Sequence, residues 1–397
     1  MANKTGTGGF ERVVRRLVKQ SINAADPSPA SDLFPSHIHI EPTNVCNLRC
    51  VHCHHHLDET GKSAFTRKQG LMDFSLYEKV LGEIGPLGCA ITLDVQGEPL
   101  LHPDILAMVE LAKSYGLYVS IITNATRLDE ELALEFLALR LDRVVFSFDA
   151  VEKTIYESIR VKSRFEPTLR AILGFLRHNE DAGHPAHVCM SMVHQARNDK
   201  HVEAYKAYFE KLPVDKVFIN PMLNLCGEAG TSGEIDLRTV QAPRRENWPI
   251  CRIPWEDLTV NWDGLVTACP VDVCVKFPIG DAREASLKEI WNGPAMRTFR
   301  TAHLQREYGP IEGGGALCSR CNCLFDPEYD LRRFPEYAVK AITRQALHYA
   351  RELTGEGERD CARGADDAAA KFLDEEIRRV NGLLQGLDRA PQARKPQ

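Results

Sequence analysis

Glu41-Pro42-Thr43-Asn44-Val45-Cys46-Asn47-Leu48-Arg49-Cys50-Val51-His52-Cys53 continues a short strand pattern that opens at His37 and places three cysteines on one loop. Three thiolates so close together can wrap one corner of an iron-sulfur cube. A 4Fe-4S cluster takes four ligands, so three from the protein leave one iron open for a small molecule. A zinc ion would instead want a fourth Cys or His, which His52, His54, His55 or His56 could supply. The C-x3-C-x2-C spacing speaks for the cluster.

Outward from this loop the chain alternates. Short β-branched runs at 37–43, 90–96, 117–123, 143–149, 187–193 and 216–221 are separated by helical patterns at 76–84, 103–115, 130–139, 166–178 and 201–211. Asp104, Asp129 and Asp199 stand where turn or cap residues belong. Six strands alternating with helices imply an α/β fold with a parallel sheet, open or curled into a partial barrel.

The alternation stops near Pro221, and residues 222–250, rich in Gly, Asn, Glu and Pro, read as a linker or crossing loop. Beyond it lies a small cysteine-rich unit with a hairpin at 258–261 and 265–268 around Trp262-Asp263-Gly264. The expected organisation is an N-terminal arm (1–35, amphipathic over 10–22), a core (36–222), a linker and cysteine-rich unit (223–330), and a helical extension (331–397). Helical patterns at 337–353 and 366–387 define the extension.

A length of 397 residues with 44% hydrophobic composition excludes wholesale disorder. Lys plus Arg total 49 against 55 Asp plus Glu, a net charge of -6, so the chain lacks the positive field that nucleic acid or anionic membrane would favour. No run reaches about 18 apolar residues, and residues 1–9 are polar where a secretory signal needs an apolar core. The expectation is a cytoplasmic protein without nucleic-acid or membrane partners. In a reducing compartment thirteen cysteines point to metal or cluster ligation, or to reactive thiols, rather than to disulfides.

The cysteine loop after the first strand of a repeated β/α unit, with aromatic His52 before the third cysteine, resembles the radical S-adenosylmethionine (SAM) superfamily over residues 36–222. The resemblance implies a partial (β/α)6 barrel, a SAM-binding 4Fe-4S cluster on Cys46, Cys50 and Cys53, and an electron donor such as flavodoxin or ferredoxin. It assigns SAM contacts to residues at successive strand ends, where a parallel sheet places its ligand. Gly97-Glu98-Pro99 looks like the motif that receives the SAM amine. Asn124, Ser147 and Asp149 follow in the family order, the last two for the ribose or methionyl group. Arg160 resembles the partner of the SAM carboxylate, and Val193 would pack on adenine.

Cys251, twelve residues, Gly264, four residues and Cys269, then Cys318-Ser319-Arg320-Cys321, supply four more thiols, enough to close a complete 4Fe-4S site. This C-x12-G-x4-C spacing, with Gly280-Asp281, Ser286-Leu287 and Ile290-Trp291, resembles SPASM and twitch domains, and the shortened one-cluster form fits better. A structural zinc on the same four cysteines stays open. Cys323 can substitute for either cysteine of the C-x2-C knuckle. Cys89, Cys189, Cys274 and Cys361 remain outside both sets, Cys189 as a buried strand position.

A cluster ligated only by protein cannot bind substrate unless a ligand leaves, so its simplest use is electron transfer. The resemblance then implies net two-electron oxidation of a small polar substrate such as a sugar or aminocyclitol alcohol. Radical epimerisation is the alternative, with Cys226, just past the sixth strand, as hydrogen donor. Peptide-maturing relatives often carry an N-terminal recognition domain, for which residues 1–35 are too few, yet peptide maturation stays a second alternative, since a separate protein could supply recognition. A zinc-stabilised interaction protein is the non-enzyme alternative. His187, His194, Arg197 and Glu228 are candidate bases by position alone.

Overall fold

The computed structural model describes residues 27–31, 33–55, 65–87, 89–223, 249–311, 318–321 and 331. The amphipathic stretch at 10–22, His56, Cys226, Glu228, Cys323, Cys361 and both C-terminal helical patterns lie outside the described residues.

The core runs β1 (His37–Ile40), α1 (Phe74–Ile84), β2 (Ala90–Leu93), α2 (Ile105–Ser114), β3 (Tyr118–Thr123), α3 (Glu130–Ala138), β4 (Arg143–Ser147), α4 (Lys153–Ile159), α5 (Phe165–Asp181), β5 (His187–His194), α6 (Val202–Phe209) and β6 (Lys216–Pro221). Each strand from β1 to β6 pairs in parallel with its successor. The alternation in sequence is therefore the alternation in space, as right-handed βαβ units produce it. Helix α4 is an element that the hydrophobic pattern did not reveal. Its seven residues start where the Glu152 carboxylate accepts from the backbone N–H groups of Thr154 and Ile155. Asp129 caps α3 in the same way through Leu132 N–H, whereas the Asp104 side chain makes no cap bond and Asp199 bonds His194 instead.

The second unit adds α7 (Ile253–Glu256), β7 (Asp257–Val260), β8 (Leu265–Thr267), β9 (Pro278–Asp281), α8 (Leu287–Trp291) and α9 (Pro294–Gln305). The expected hairpin forms from β7 and β8. Gly264 turns it at φ +87°, where a Cβ would stand 2.9 Å from the Asp281 and Arg283 side chains. The hairpin is not a separate sheet. Strand β7 lies parallel to β1, His37 opposite Asp257, so one nine-stranded sheet runs β6-β5-β4-β3-β2-β1-β7-β8-β9.

The register gives this sheet two unlike faces. Ile38, Ile40, Ile91, Leu93, Val119, Ile121, Val144, Phe146, Val188, Met190, Leu258 and Val260 share one face. They join a single buried cluster with helix residues such as Tyr77, Val80, Met108, Phe136, Phe175 and Phe209. The alternate positions are His37, His39, Thr92, Ser120, Arg143, Ser147, Ser191, Asn220, Asp257 and Thr259, with Ile122, Val145, Cys189, Val193 and Phe218 among them. Helices cover the apolar face. The polar face is the inner one of a sheet curled toward a barrel.

Candidate iron-sulfur and cofactor site

The loop after β1 is held from three sides before any cysteine is considered. The Glu41 carboxylate, fully buried, receives both guanidinium arms of Arg67 at 2.9 and 2.7 Å and the Trp262 backbone N–H at 3.2 Å. Such a bidentate, charge-assisted pair fixes orientation as well as position. Thr43 and Asn44 bond the backbone of Gly70 and Lys68. Beyond them, Arg49 N–H and Val51 N–H donate to the Val161 and Ile159 carbonyls at 3.0 Å, which lays the cysteine loop along the segment carrying Arg160.

Cys46, Cys50 and Cys53 are brought together at the C-terminal end of the parallel sheet. Burial pushes the Cys46 thiol up to about 11 and raises Cys50 and Cys53 as well, with repulsion from neighbouring thiolates a lesser cause at Cys46 and Cys50. The Arg160 charge lowers both Cys50 and Cys53, and that of Arg49 lowers Cys46 and Cys53. Desolvated thiols gathered with cationic neighbours are a donor set that a cluster's ferric charge would ionise, so the residues fit the group.

Gly97 permits the next contact. It sits at φ +80°, and a Cβ there would come within 2.4 Å of the Thr43 carbonyl oxygen and 2.7 Å of that of Val45. The following Glu98 N–H then donates to the Val45 carbonyl at 2.9 Å. The Glu98 carboxylate is buried, and its Oε1 accepts from Thr123 Oγ1 at 2.6 Å and Leu100 N–H at 3.2 Å. Its Oε2 accepts from the Asn124 backbone N–H at 2.7 Å, which leaves acceptor capacity on that oxygen. Asn124 donates through Nδ2 to Asn47 in the cysteine loop. Thus the ends of β2 and β3 brace the loop after β1.

Asp149 and Arg160, assigned separately to SAM, pair with each other. Arg160 Nε lies 2.8 Å from Asp149 Oδ2, both residues are buried, and Asp149 Oδ1 accepts from Val193 N–H at 2.8 Å. Burial alone would lower the Arg160 pKa, but the Asp149 and Cys50 charges raise it, so the cation is held charged beside the triad. Glu98 also feels it. Cys46, Cys50, Cys53, Glu98, Asn124, Asp149, Arg160 and Val193 therefore converge, while Ser147 ends β4 on the inner face.

The second set gathers from three segments. Cys251 precedes α7, Cys269 follows β8, and Cys318 and Cys321 lie beyond α9, joined by a Cys321 N–H to Cys318 carbonyl bond of 3.1 Å. Burial pushes Cys251 up to about 12 and raises Cys269 and Cys318, and each of these three thiols also feels thiolates of the same set. His303 on α9 is 1% exposed, couples to the Cys321 charge, and has no hydrogen-bond partner on either ring nitrogen. A buried imidazole without partners wants an acceptor, and a cluster held by Cys321 and its neighbours would supply sulfur as one. Gly280 packs against Ile290, where a Cβ would meet Cγ1 at 2.6 Å, and a Ser286 and Glu289 capping box opens α8.

The base candidates are engaged. His194 bonds Asp199 at 2.7 Å, Arg197 donates to the Ser158 carbonyl, and His187 is pushed up to about 9 by Asp215 and Cys189. Sequence reasoning missed Glu41 with Arg67, and His39, whose Nδ1 lies 2.8 Å from Asp94 Oδ1. Alternation of His37 and His39 with isoleucines in β1 was the available signal.

A thiol triad at the strand ends of a parallel α/β sheet, with a second set of four thiols drawn from three segments of the appended unit, fits an iron-sulfur protein whose first cluster would bring a small molecule to one iron. Residues 40–208 match the model of the radical SAM superfamily, and residues 251–322 match that of an iron-sulfur cluster-binding domain, SPASM. The chain belongs to the radical SAM superfamily and carries a C-terminal SPASM domain. A 4Fe-4S cluster, SAM and auxiliary iron-sulfur ligation come with that membership. Among relatives, the tungsten-containing aldehyde ferredoxin oxidoreductase cofactor-modifying protein of Pyrococcus furiosus is 25% identical over 301 residues, 66% of this chain and 83% of that protein. The probable GTP 3',8-cyclase of Methanopyrus kandleri is 32% identical over 130 residues, 33% of this chain and 39% of that protein. Streptococcus suis SuiB bound to precursor peptide SuiA shares the fold at a TM-score of 0.56 and 14% identity, over 73% of this chain and 70% of that one. Native anSMEcpe with bound AdoMet does so at 0.53 and 17%, over 81% and 100%. Among the described residues no helix is long and apolar enough to cross a membrane.

Proposed function

We propose that this enzyme oxidises a carbinol carbon of a small polar substrate, a sugar or aminocyclitol alcohol, to a ketone. The observation that carries the reading is the chemistry of the inner face. Ser120, Ser147, Ser191 and Asn220 set hydroxyl and amide groups on four neighbouring strands, Asn220 donating to Ser191 and Thr92 on the next strand meeting His37, opposite an outer face that is apolar apart from Thr123 and His194 near the strand ends. A polyhydroxylated ligand finds donors and acceptors there, where an apolar one would strand them. When bound, the SAM-ligating cluster with SAM supplies a 5'-deoxyadenosyl radical, which takes one hydrogen atom, and the auxiliary cluster accepts the second electron.

The chain's residues position and exclude. Glu98 and Arg160 would hold the SAM amine and carboxylate, with the Asn124 N–H fixing the Glu98 carboxylate and Asp149 pairing with Arg160 at the end of α4. The complete thiol set of Cys251, Cys269, Cys318 and Cys321 supports electron transfer rather than substrate ligation, because no position is left open. A flavodoxin- or ferredoxin-like reductant would supply the first electron.

Anaerobically reconstituted protein should be given SAM and a panel of sugars, aminocyclitols and peptides, each labelled with deuterium at the reacting carbon. The reading expects deuterium in 5'-deoxyadenosine and a product lighter by the lost carbon-bound and hydroxyl hydrogens. A product that instead gains one solvent deuterium at carbon, dependent on Cys226, would be epimerisation. Turnover of peptides alone would replace the substrate class.

A further inference from the structure

We propose that His37, His39 and Asp257 form a divalent-metal site of the two-histidine, one-carboxylate kind, of which zinc is the type, across the seam between β1 and β7. None of the cluster cysteines takes part. Register builds the site: His37 stands directly opposite Asp257 in the parallel pair, and His39 lies two residues along the same face. One ligand atom from each of the three residues falls within 4.8 Å of the others. His37 Nδ1 and Asp257 Oδ1 are 3.3 Å apart. Two donors bound to one tetrahedral zinc at about 2.0–2.1 Å stand roughly that far from each other.

Each imidazole is already oriented by a bond on its far side. His37 Nε2 lies 2.7 Å from Thr92 Oγ1. His39 Nδ1 lies 2.8 and 3.1 Å from the two oxygens of Asp94. With those nitrogens protonated, His37 Nδ1 and His39 Nε2 are left as lone-pair donors on the same face as Asp257. Metal-binding histidines are characteristically held this way, the outer hydrogen bond fixing tautomer and ring plane. Nitrogen and carboxylate donors without thiolate suit zinc or another borderline divalent ion. Three protein ligands leave the fourth tetrahedral position to water. The ion would join the first strand of the barrel to the first strand of the auxiliary unit.

Holoprotein with both clusters loaded would be dialysed anaerobically against zinc chloride, and zinc and iron measured together by mass spectrometry of the elements. The expected result is one zinc per chain above the cluster iron. Asp257→Asn and His39→Gln should each remove it with iron unchanged, and Asp94→Asn, which leaves all three ligands in place, should weaken zinc binding about 10- to 100-fold. Cobalt in the same site should lack thiolate-to-metal charge-transfer absorption. No zinc above background in the wild-type protein would overturn the proposal, as would zinc that persists undiminished in both Asp257→Asn and His39→Gln. Thiolate absorption from bound cobalt would assign the ion to cysteine and overturn it equally.

Discussion

The two cysteine sites differ in how the chain assembles them. The triad comes from one loop of eight residues, and everything else about it is bracing: Glu41 with Arg67, Gly97 against the Thr43 and Val45 carbonyls, Asn124 on Asn47. The quartet comes from three segments and is complete only when α9 has packed. Their electrostatic surroundings differ too. Arg49 and Arg160 lower the triad thiols against Glu98 and Asp149, which raise Cys46 and Cys50, whereas in the quartet Arg252 lowers Cys251 and Asp272 raises Cys269 and Cys318. An open site needs an externally fixed loop and a cation to meet an anionic ligand; a closed one needs only its own ligands and a dry shell.

The sharpest way to break this comparison is to remove each set alone. Changing Cys46, Cys50 and Cys53 to Ala should halve iron from about eight per chain to about four and abolish SAM cleavage. Removing Cys251, Cys269, Cys318 and Cys321 should halve iron equally, yet leave SAM cleavage and stop product oxidation. Iron analysis and 5'-deoxyadenosine chromatography read both, and SAM cleavage surviving the triple variant would sink the division of labour.

Arg160→Ala tests the cation. It strands the buried Asp149 carboxylate, so chemical denaturation should show a loss of about 3–5 kcal/mol. SAM affinity by anaerobic calorimetry should fall roughly ten- to a hundredfold. Stability lost with affinity unchanged would make Arg160 a structural partner of Asp149 alone.

His303 tests the dry shell. Burial pushes its pKa down to about 4, from 6.5 in an unfolded chain. Above pH 6.5 neither state is protonated there and the group is neutral to stability. As pH falls from 6.5 toward 4 the unfolded chain binds a proton that the folded one refuses, so metal-free protein should lose on the order of 3 kcal/mol from this group. His303→Phe should flatten that part of the pH profile in denaturation. An unchanged slope would place His303 in water.

Gly97→Ala is the smallest perturbation. At φ +80°, with a carbonyl in the way of the added carbon, strain should cost on the order of 1–3 kcal/mol. Iron at the triad should fall while quartet iron persists, as spectroscopy of each cluster would separate.

Much of this was legible in order along the chain. Cysteines spaced for a cluster, glycine before Glu98, and strand-end residues at Asn124 and Asp149 are local signals, because period and turn chemistry are written in neighbouring residues. Pairings across the chain were not. That Asp149 takes Arg160, that Glu41 takes Arg67, and that His37 faces Asp257 follow from register and loop closure, which no local pattern specifies. Cys226 had no signal beyond position.

Strand β1 pairs on one side with a strand made early and on the other with one made late: Ser36 bonds Glu256 across 220 residues of sequence. At roughly 5–20 residues per second of synthesis, that edge of β1 waits about 10 to 40 seconds for its neighbour. During that interval a nascent chain presents an unpaired strand edge, the kind that invites pairing with other chains. A polar histidine at every second position of β1 is suited to such a wait, because it keeps the exposed edge from being apolar on both faces.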